Sequence, residues 1–153
     1  MSVDVDRSMM IQENRQISIQ LDQRFNRVLA ERNITGVQAH ALLYVLQQAG
    51  EGASVTTLHQ VSGSSKATIS HLVKRLREKG YVRVELCPED DRRRLLFGTE
   101  QGRQLQAALE TSFQTMEDIL YRGFSPEELS DLDRLQKKML RNLSETQREA
   151  TES

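Results

Sequence analysis

Apolar residues recur along most of this chain at three- and four-residue intervals, and that spacing divides it into helices. Across residues 9–32, which hold no Gly or Pro, Met10, Ile17, Leu21, Phe25, Val28 and Leu29 form a narrow seam on an otherwise charged segment. The seam predicts a long helix that packs against partner helices. Asn33-Ile34-Thr35-Gly36 breaks it, and Thr35 with Gln38 makes a capping-box pattern for a helix over residues 36–48. There Ala39, Leu42, Leu43 and Leu46 are the expected core. Residues 50–53 read as a loop, residues 54–61 as a short helix carrying Val55, Leu58 and Val61, and Ser62-Gly63 as a turn. Ile69, Leu72, Val73 and Leu76 then occupy i, i+3, i+4 and i+7, one face of a helix. That face leaves Ala67, Ser70, His71, Lys74 and Glu78 opposite it, with Thr68 and Arg75 on a flank. Ser65 is the expected N-cap, and Gly80, which accepts a left-handed conformation, the stop.

The period then changes to two. Tyr81 to Leu86 alternates apolar and charged residues as a half-buried strand does. Cys87-Pro88-Glu89-Asp90-Asp91 is a turn cluster, and Arg92-Arg93-Arg94 leads into a second apolar run, Leu95-Leu96-Phe97. Thr99 can cap a helix running to about residue 121 through Leu105, Leu109, Phe113 and Met116. Ser125-Pro126-Glu127-Glu128 is a helix start, with a capping serine, proline in the first position and a glutamate to close the box. Leu129, Leu132, Leu135, Met139, Leu140 and Leu143 line the final helix, and a disordered polar tail is expected over residues 148–153. The order is ααααββαα, mainly α with a small β wing. A short helix, a glycine-containing turn, a basic helix and a basic-tipped hairpin together outline a winged helix-turn-helix.

Charge sharpens this outline. Residues 64–94 hold nine Lys/Arg and five Asp/Glu, a net +4, in a chain of 153 residues whose formal charge is −1. Phosphate binding needs a local basic surface rather than a basic protein, so the uneven distribution is what points to nucleic acid. The remaining composition, 37% hydrophobic and 28% charged with one cysteine, is that of a helix-rich soluble domain. No run approaches a membrane span of ~20 apolar residues, no membrane partner is expected, and the first ten residues lack the apolar core of a signal peptide. A single cysteine allows no intramolecular disulfide and fits a reducing, cytoplasmic setting.

Several stretches, in this order and spacing, resemble the MarR family of bacterial transcriptional regulators. Residues 29–38, Leu-Ala-Glu-Arg-Asn-Ile-Thr-Gly-Val-Gln, are similar to the start of its second helix. Ser65-Lys66-Ala67-Thr68-Ile69-Ser70 is similar to the start of its recognition helix. Asp90-Asp91-Arg92, with Thr99 and Gly102, fits its wing signature, and Phe124 to Leu129 resembles the start of its last helix. Two departures stand out. Gly98 takes the place of a usual Leu, which predicts a shortened or bulged second strand. His59 stands where Ala is common, and Ser62 and Ser64 where apolar residues are common, so the turn before Ser65 is expected to pack differently. The resemblance implies a homodimer built from an N-terminal dimerisation helix (1–34) and C-terminal dimerisation helices (100–147) around a winged unit (35–99). It implies double-stranded DNA, a pseudo-palindromic operator, as partner, and repression whose DNA affinity a small molecule or chemical signal modulates.

A recognition helix reads base edges from its N-terminal half while phosphate contacts fix register. Lys66, Thr68 and His71 are therefore assigned near bases, and Ser65, Lys74 and Arg75 mainly to phosphates. By resemblance Arg92 enters the minor groove and Asp90 orients it, and a narrow A·T-rich groove does attract a guanidinium. Arg93 and Arg94 add phosphate contacts, although strand alternation places only one of them on the face of Arg92. Each of these positions also has a plain reading, a solvated polar residue on an amphipathic helix or hairpin. Family analogy and helix position make Phe25, Leu43, Tyr44 and Phe113 the walls of an effector pocket. Cys87 has no histidine beside it and acidic neighbours, which would not lower a thiol pKa. His40, His59 and His71 have no metal-ligand spacing with Cys87, so no metal or other cofactor is expected, and no catalytic constellation marks the chain as an enzyme. A winged-helix module that binds protein instead of DNA stays open as the alternative.

Overall fold

A computed structural model describes residues 4–87 and 89–152, with the side chains of Ala49, residues 90–92 and residues 147–152 outside that description. Its helices are α1 (Arg7–Leu29), α2 (Gly36–Gln47), α3 (Val55–Ser62), α4 (Lys66–Glu78), α5 (Glu100–Leu120) and α6 (Pro126–Glu152). Its strands are β1 (Ala53–Ser54), β2 (Val82–Cys87) and β3 (Asp90–Gly98), and single 3-10 turns follow α1 and α2. The mainly α order with a β wing is the one expected, with β1 added. Among the described residues no helix is long and apolar enough to cross a membrane. The backbone divides into two units, Met1–Gln114 and Thr115–Ser153.

Capping residues set the helix limits in the first unit. Asp6 accepts the N–H of Met9 to open α1, and Thr35 and Gln38 close a reciprocal capping box on α2. Ser54 opens α3 by accepting from Thr57, and Ser65 opens α4 by accepting from Thr68. Each such bond satisfies a donor the helix cannot satisfy itself, for about 1 kcal/mol. The predicted stripe of α4 is buried at every position, Ile69, Leu72, Val73 and Leu76. Each contributes roughly 1.5–3 kcal/mol on leaving water. They share a core with Leu29 of α1, Leu42 and Val45 of α2, Leu96 of β3 and Leu109 of α5, all almost wholly inaccessible.

The wing is more regular at its base, and less so at its tip, than the sequence suggests. β3 is central in an antiparallel sheet of order β1-β3-β2. Ala53 and Ser54 pair with Leu96 and Leu95, and β2 pairs with β3 from Val82↔Gly98 to Leu86↔Arg94. The expected shortening or bulge at Gly98 does not occur. Gly98 pairs fully, and a Cβ there would stand 2.4 Å from Leu46 Cδ2, so the leucine of α2 occupies the space a side chain would need. The irregularity lies between Leu86 and Cys87, where the register jumps to Cys87↔Asp90.

The turn between α3 and α4 also has its own solution. Gly63 caps α3 in the left-handed conformation (φ 70°), with its N–H on the carbonyl of His59. Ser62 Oγ donates to that same carbonyl and accepts the N–H of Ser64 (3.1 Å). Hydroxyl bonds thus hold a turn that relatives are expected to hold with apolar contacts.

In the second unit, Tyr121 and Phe124 meet edge to face at 5.9 Å, and Ser125 and Glu128 form the expected capping box at the start of α6. The α6 backbone stays helical to Glu152, so the expected disordered tail over 148–153 is helical as far as Glu152. No Gly or Pro interrupts the segment after Pro126, and nothing there stops a helix.

Candidate nucleic-acid interface

Burying the apolar stripe of α4 forces its polar residues outward. Ser65, Lys66, Thr68, His71, Lys74 and Arg75 are all exposed. They do not form one undivided surface. Lys66, Ser70, Lys74 and Arg77 succeed one another at four- and three-residue steps, and this edge of α4 faces the wing across a cleft of about 550 Å³. Arg93 and Arg94 of β3 and Val55 and His59 of α3 also line it. Val55, Ile69, Val73 and Val84 give the cleft an apolar floor. Five cations therefore meet around it, Lys66, Lys74 and Arg77 from the helix and Arg93 and Arg94 from the strand, and among the described residues no acidic side chain lines it.

Two features of this cleft differ from the expectation. Both arginines reach it although strand alternation predicts only one on a given face, because the register jump beside Leu86 breaks the two-residue period. Arg77 and His59 were not among the predicted site residues. Arg77 could have been found from its i+3 relation to Lys74. His59 could not, since its place in the cleft depends on how α3 packs against α4. The Nδ1 of His59 is buried and has no hydrogen-bond partner among the described residues.

His71 and Arg75 lie on the exposed face away from this cleft. Ser65 and Thr68 are engaged with each other: Ser65 Oγ accepts the Thr68 N–H, and the two hydroxyls lie 2.9 Å apart. Capping α4 is therefore a first task for both, beside any contact with a ligand. The side chains of Asp90 and Arg92 lie outside the described residues.

Of the expected effector-pocket walls, Phe25 and Phe113 come together with ring centroids 4.7 Å apart. His40 packs against both, at 5.1 Å and 4.4 Å, so three rings from α1, α2 and α5 form one cluster. Burial among the rings holds the His40 pKa below its ordinary value, and the charge of Asp22 opposes that shift in part. Leu43 and Tyr44 are half-buried on α2. None of the four predicted residues lines the basic cleft.

Residues 32–93 match the model of the MarR family. No curated protein matches the sequence. Among solved structures, a S. aureus MepR–DNA complex is 25% identical with a TM-score of 0.79, over 91% of this chain and 99% of that one. A crystal structure of MarR is 27% identical with a TM-score of 0.65, over 90% and 96%. A putative MarR family transcriptional regulator from Listeria monocytogenes, complexed with 26mer DNA, is 21% identical with a TM-score of 0.82, over 95% and 92%.

Proposed function

We propose that the chain, whose residues 32–93 match the model of the MarR family, is a DNA-binding transcriptional regulator acting as a homodimer. The observation that carries this reading is the cleft where five cations from α4 and β3 converge, with no acidic side chain lining it among the described residues. Such a surface suits a phosphate backbone. It lies beside the exposed N-terminal half of α4, which in a helix-turn-helix meets base edges. Lys66, Thr68 and His71 are assigned to bases, and Lys74, Arg75, Arg77, Arg93 and Arg94 to phosphates, with Ser65 capping the helix that presents them. Arg92, oriented by Asp90, is assigned to the minor groove.

The homodimer reading is supported by apolar side chains that the chain itself does not cover. On α1, Met10 and Ile11 are 51% and 72% exposed, and on α6, Leu140 and Leu143 are 63% and 68% exposed. Contiguous exposed apolar faces mark association surfaces. A second copy would place two α4 helices for half-sites about 34–36 Å apart, or a multiple of that. The role is repression under control of a small-molecule or chemical signal, acting at Phe25, Leu43, Tyr44 and Phe113. A ligand there has to part the three-ring cluster, whose pairwise contacts are worth about 0.5–1.5 kcal/mol each.

The test is selection of duplexes from a random-sequence pool, followed by titration across salt concentrations. Enriched duplexes should carry two related half-sites. Log affinity should fall linearly with log salt, by about 0.9 per neutralised phosphate. Lys66→Ala combined with Arg92→Ala should abolish selective binding. Failure to enrich any duplex at moderate salt would sink the reading and leave the winged unit as a protein-interaction module.

A further inference from the structure

The C-cap of α4 is Lys79, and its side chain reaches the junction of α1 and α2. Its Nζ donates to the carbonyl of Asn33 and to Gln38 Oε1 (2.9 Å), 46 and 41 residues distant in sequence. Asn33 ends the 3-10 turn that closes α1 and sits in the left-handed conformation (φ 53°). The carbonyls at such an end carry the negative pole of the helix and favour a cation. Gln38 Oε1 already accepts the N–H of Thr35 as half of the α2 capping box. One ammonium therefore fastens the end of α1, the start of α2 and the end of α4 with charge-assisted bonds, the stronger kind.

We propose that Lys79 is a positioning residue for the recognition helix, passing the attitude of the α1–α2 junction to α4 without touching DNA. The inference rests on the DNA-binding reading above. Geometry gives the link its leverage. The 13 residues of α4 span about 20 Å. A tilt of about 5° at the Lys79 end then displaces Ser65 and Lys66 by about 2 Å, enough to lose hydrogen-bond geometry at a base edge. Phosphate attraction tolerates such a displacement, because it has no base-specific geometry. Selective binding should therefore suffer while general DNA affinity does not.

The experiment uses the full chain, a duplex that the wild-type protein selects from a random pool, and a scrambled duplex of equal length. Lys79→Met should weaken binding to the selected duplex about tenfold, within the usual range of such couplings, and leave the scrambled duplex and the salt slope unchanged. Gln38→Glu keeps the acceptor and should keep selectivity. Thr35→Ala removes the other half of the capping box, so it should lower thermal stability yet leave the selected-to-scrambled ratio intact. If Lys79→Met does not fold, Gln38→Leu takes its place and should reduce the ratio in the same direction. Equal loss on both duplexes, with a slope smaller by about 0.9, would make Lys79 a phosphate contact and overturn the inference. So would an unchanged ratio in a wild type that does select a duplex. A wild type that enriches none overturns the DNA-binding reading, and this inference with it.

Discussion

Replacing Gly102 with alanine isolates how the wing is tied to α5. In an unhindered helix interior this change stabilises by about 1 kcal/mol, because glycine has more backbone freedom to lose. Here a Cβ would stand 2.3 Å from the carbonyl oxygen of Tyr81 and 3.2 Å from its carbon, and both are backbone atoms with no rotamer to change. Carbon and carbonyl oxygen approach to about 3.3 Å, so the two segments must part by about 1 Å. That movement breaks the Thr99 N–H to Tyr81 bond (3.1 Å) and carries the Thr99 hydroxyl bond to Gly80 (2.6 Å) beyond hydrogen-bond range. Two lost bonds cost about 1 kcal/mol each, and overpacking a filled site costs a further 1–3 kcal/mol or so. Net of the helix gain, Gly102→Ala should destabilise by about 2–4 kcal/mol, which lowers a urea midpoint by roughly 1–2 M. Midpoints are compared at one protein concentration, since association adds to apparent stability. Gly50→Ala, with nothing within 4 Å of the added carbon, is the control and should be near neutral. A Gly102→Ala protein as stable as wild type would refute the claim that these two backbones are in obligatory contact.

Because burial depresses the His40 pKa in the folded state, folding stability should decline as pH falls below about 6.5, where the unfolded chain takes up the proton first, and level off once the folded form is protonated too. Urea midpoints at pH 7.5 and 5.5 should show this decline, and His40→Leu should flatten it. Leu140→Glu with Leu143→Glu places two charges on the uncovered face of α6 and should shift the protein to monomer in sedimentation or light scattering. Ser65→Ala should cost about 1 kcal/mol of stability through the lost cap, measured by thermal unfolding. Gly98→Leu should cost about 1–3 kcal/mol by crowding Leu46, with part of the loss recovered when Leu46→Ala is added.

What the chain's pattern revealed and what it hid follow from whether the information was local. The α4 stripe, its Ser65 cap and the capping boxes at Thr35 and Ser125 are properties of neighbouring residues, and each is present as read. Strand β1 was missed because Ala53 and Ser54 carry no period of their own and pair only with Leu96 and Leu95, some forty residues on. Gly98 looked like a weakness in a strand; its reason is a leucine from α2 that no local pattern could bring there. The same holds for the basic cleft. The charge excess of residues 64–94 was visible, but the meeting of Arg77 with Arg93 and Arg94 depends on a register jump at the wing tip and on α4 packing. Phe25 and Phe113 were expected only as walls of a pocket, and neither their ring contact nor His40 as the third ring was legible, since a histidine amid a leucine-rich helix has no periodic signature.

These distinctions bear on what a second copy would do. Ile69, Leu72, Val73 and Leu76 are covered within a single chain, so the recognition helix buries its apolar face without a partner. The uncovered apolar residues include Met10 and Ile11 on α1 and Leu140 and Leu143 on α6. In the proposed dimer, association therefore sets the separation of two helices that are already formed. A signal that changes DNA affinity tenfold must favour one separation over another by about 1.4 kcal/mol. That is the size of a single aromatic contact, about 0.5–1.5 kcal/mol. Rearranging one pair among Phe25, His40 and Phe113 would supply it, provided the α1–α2 junction transmits the movement to α4.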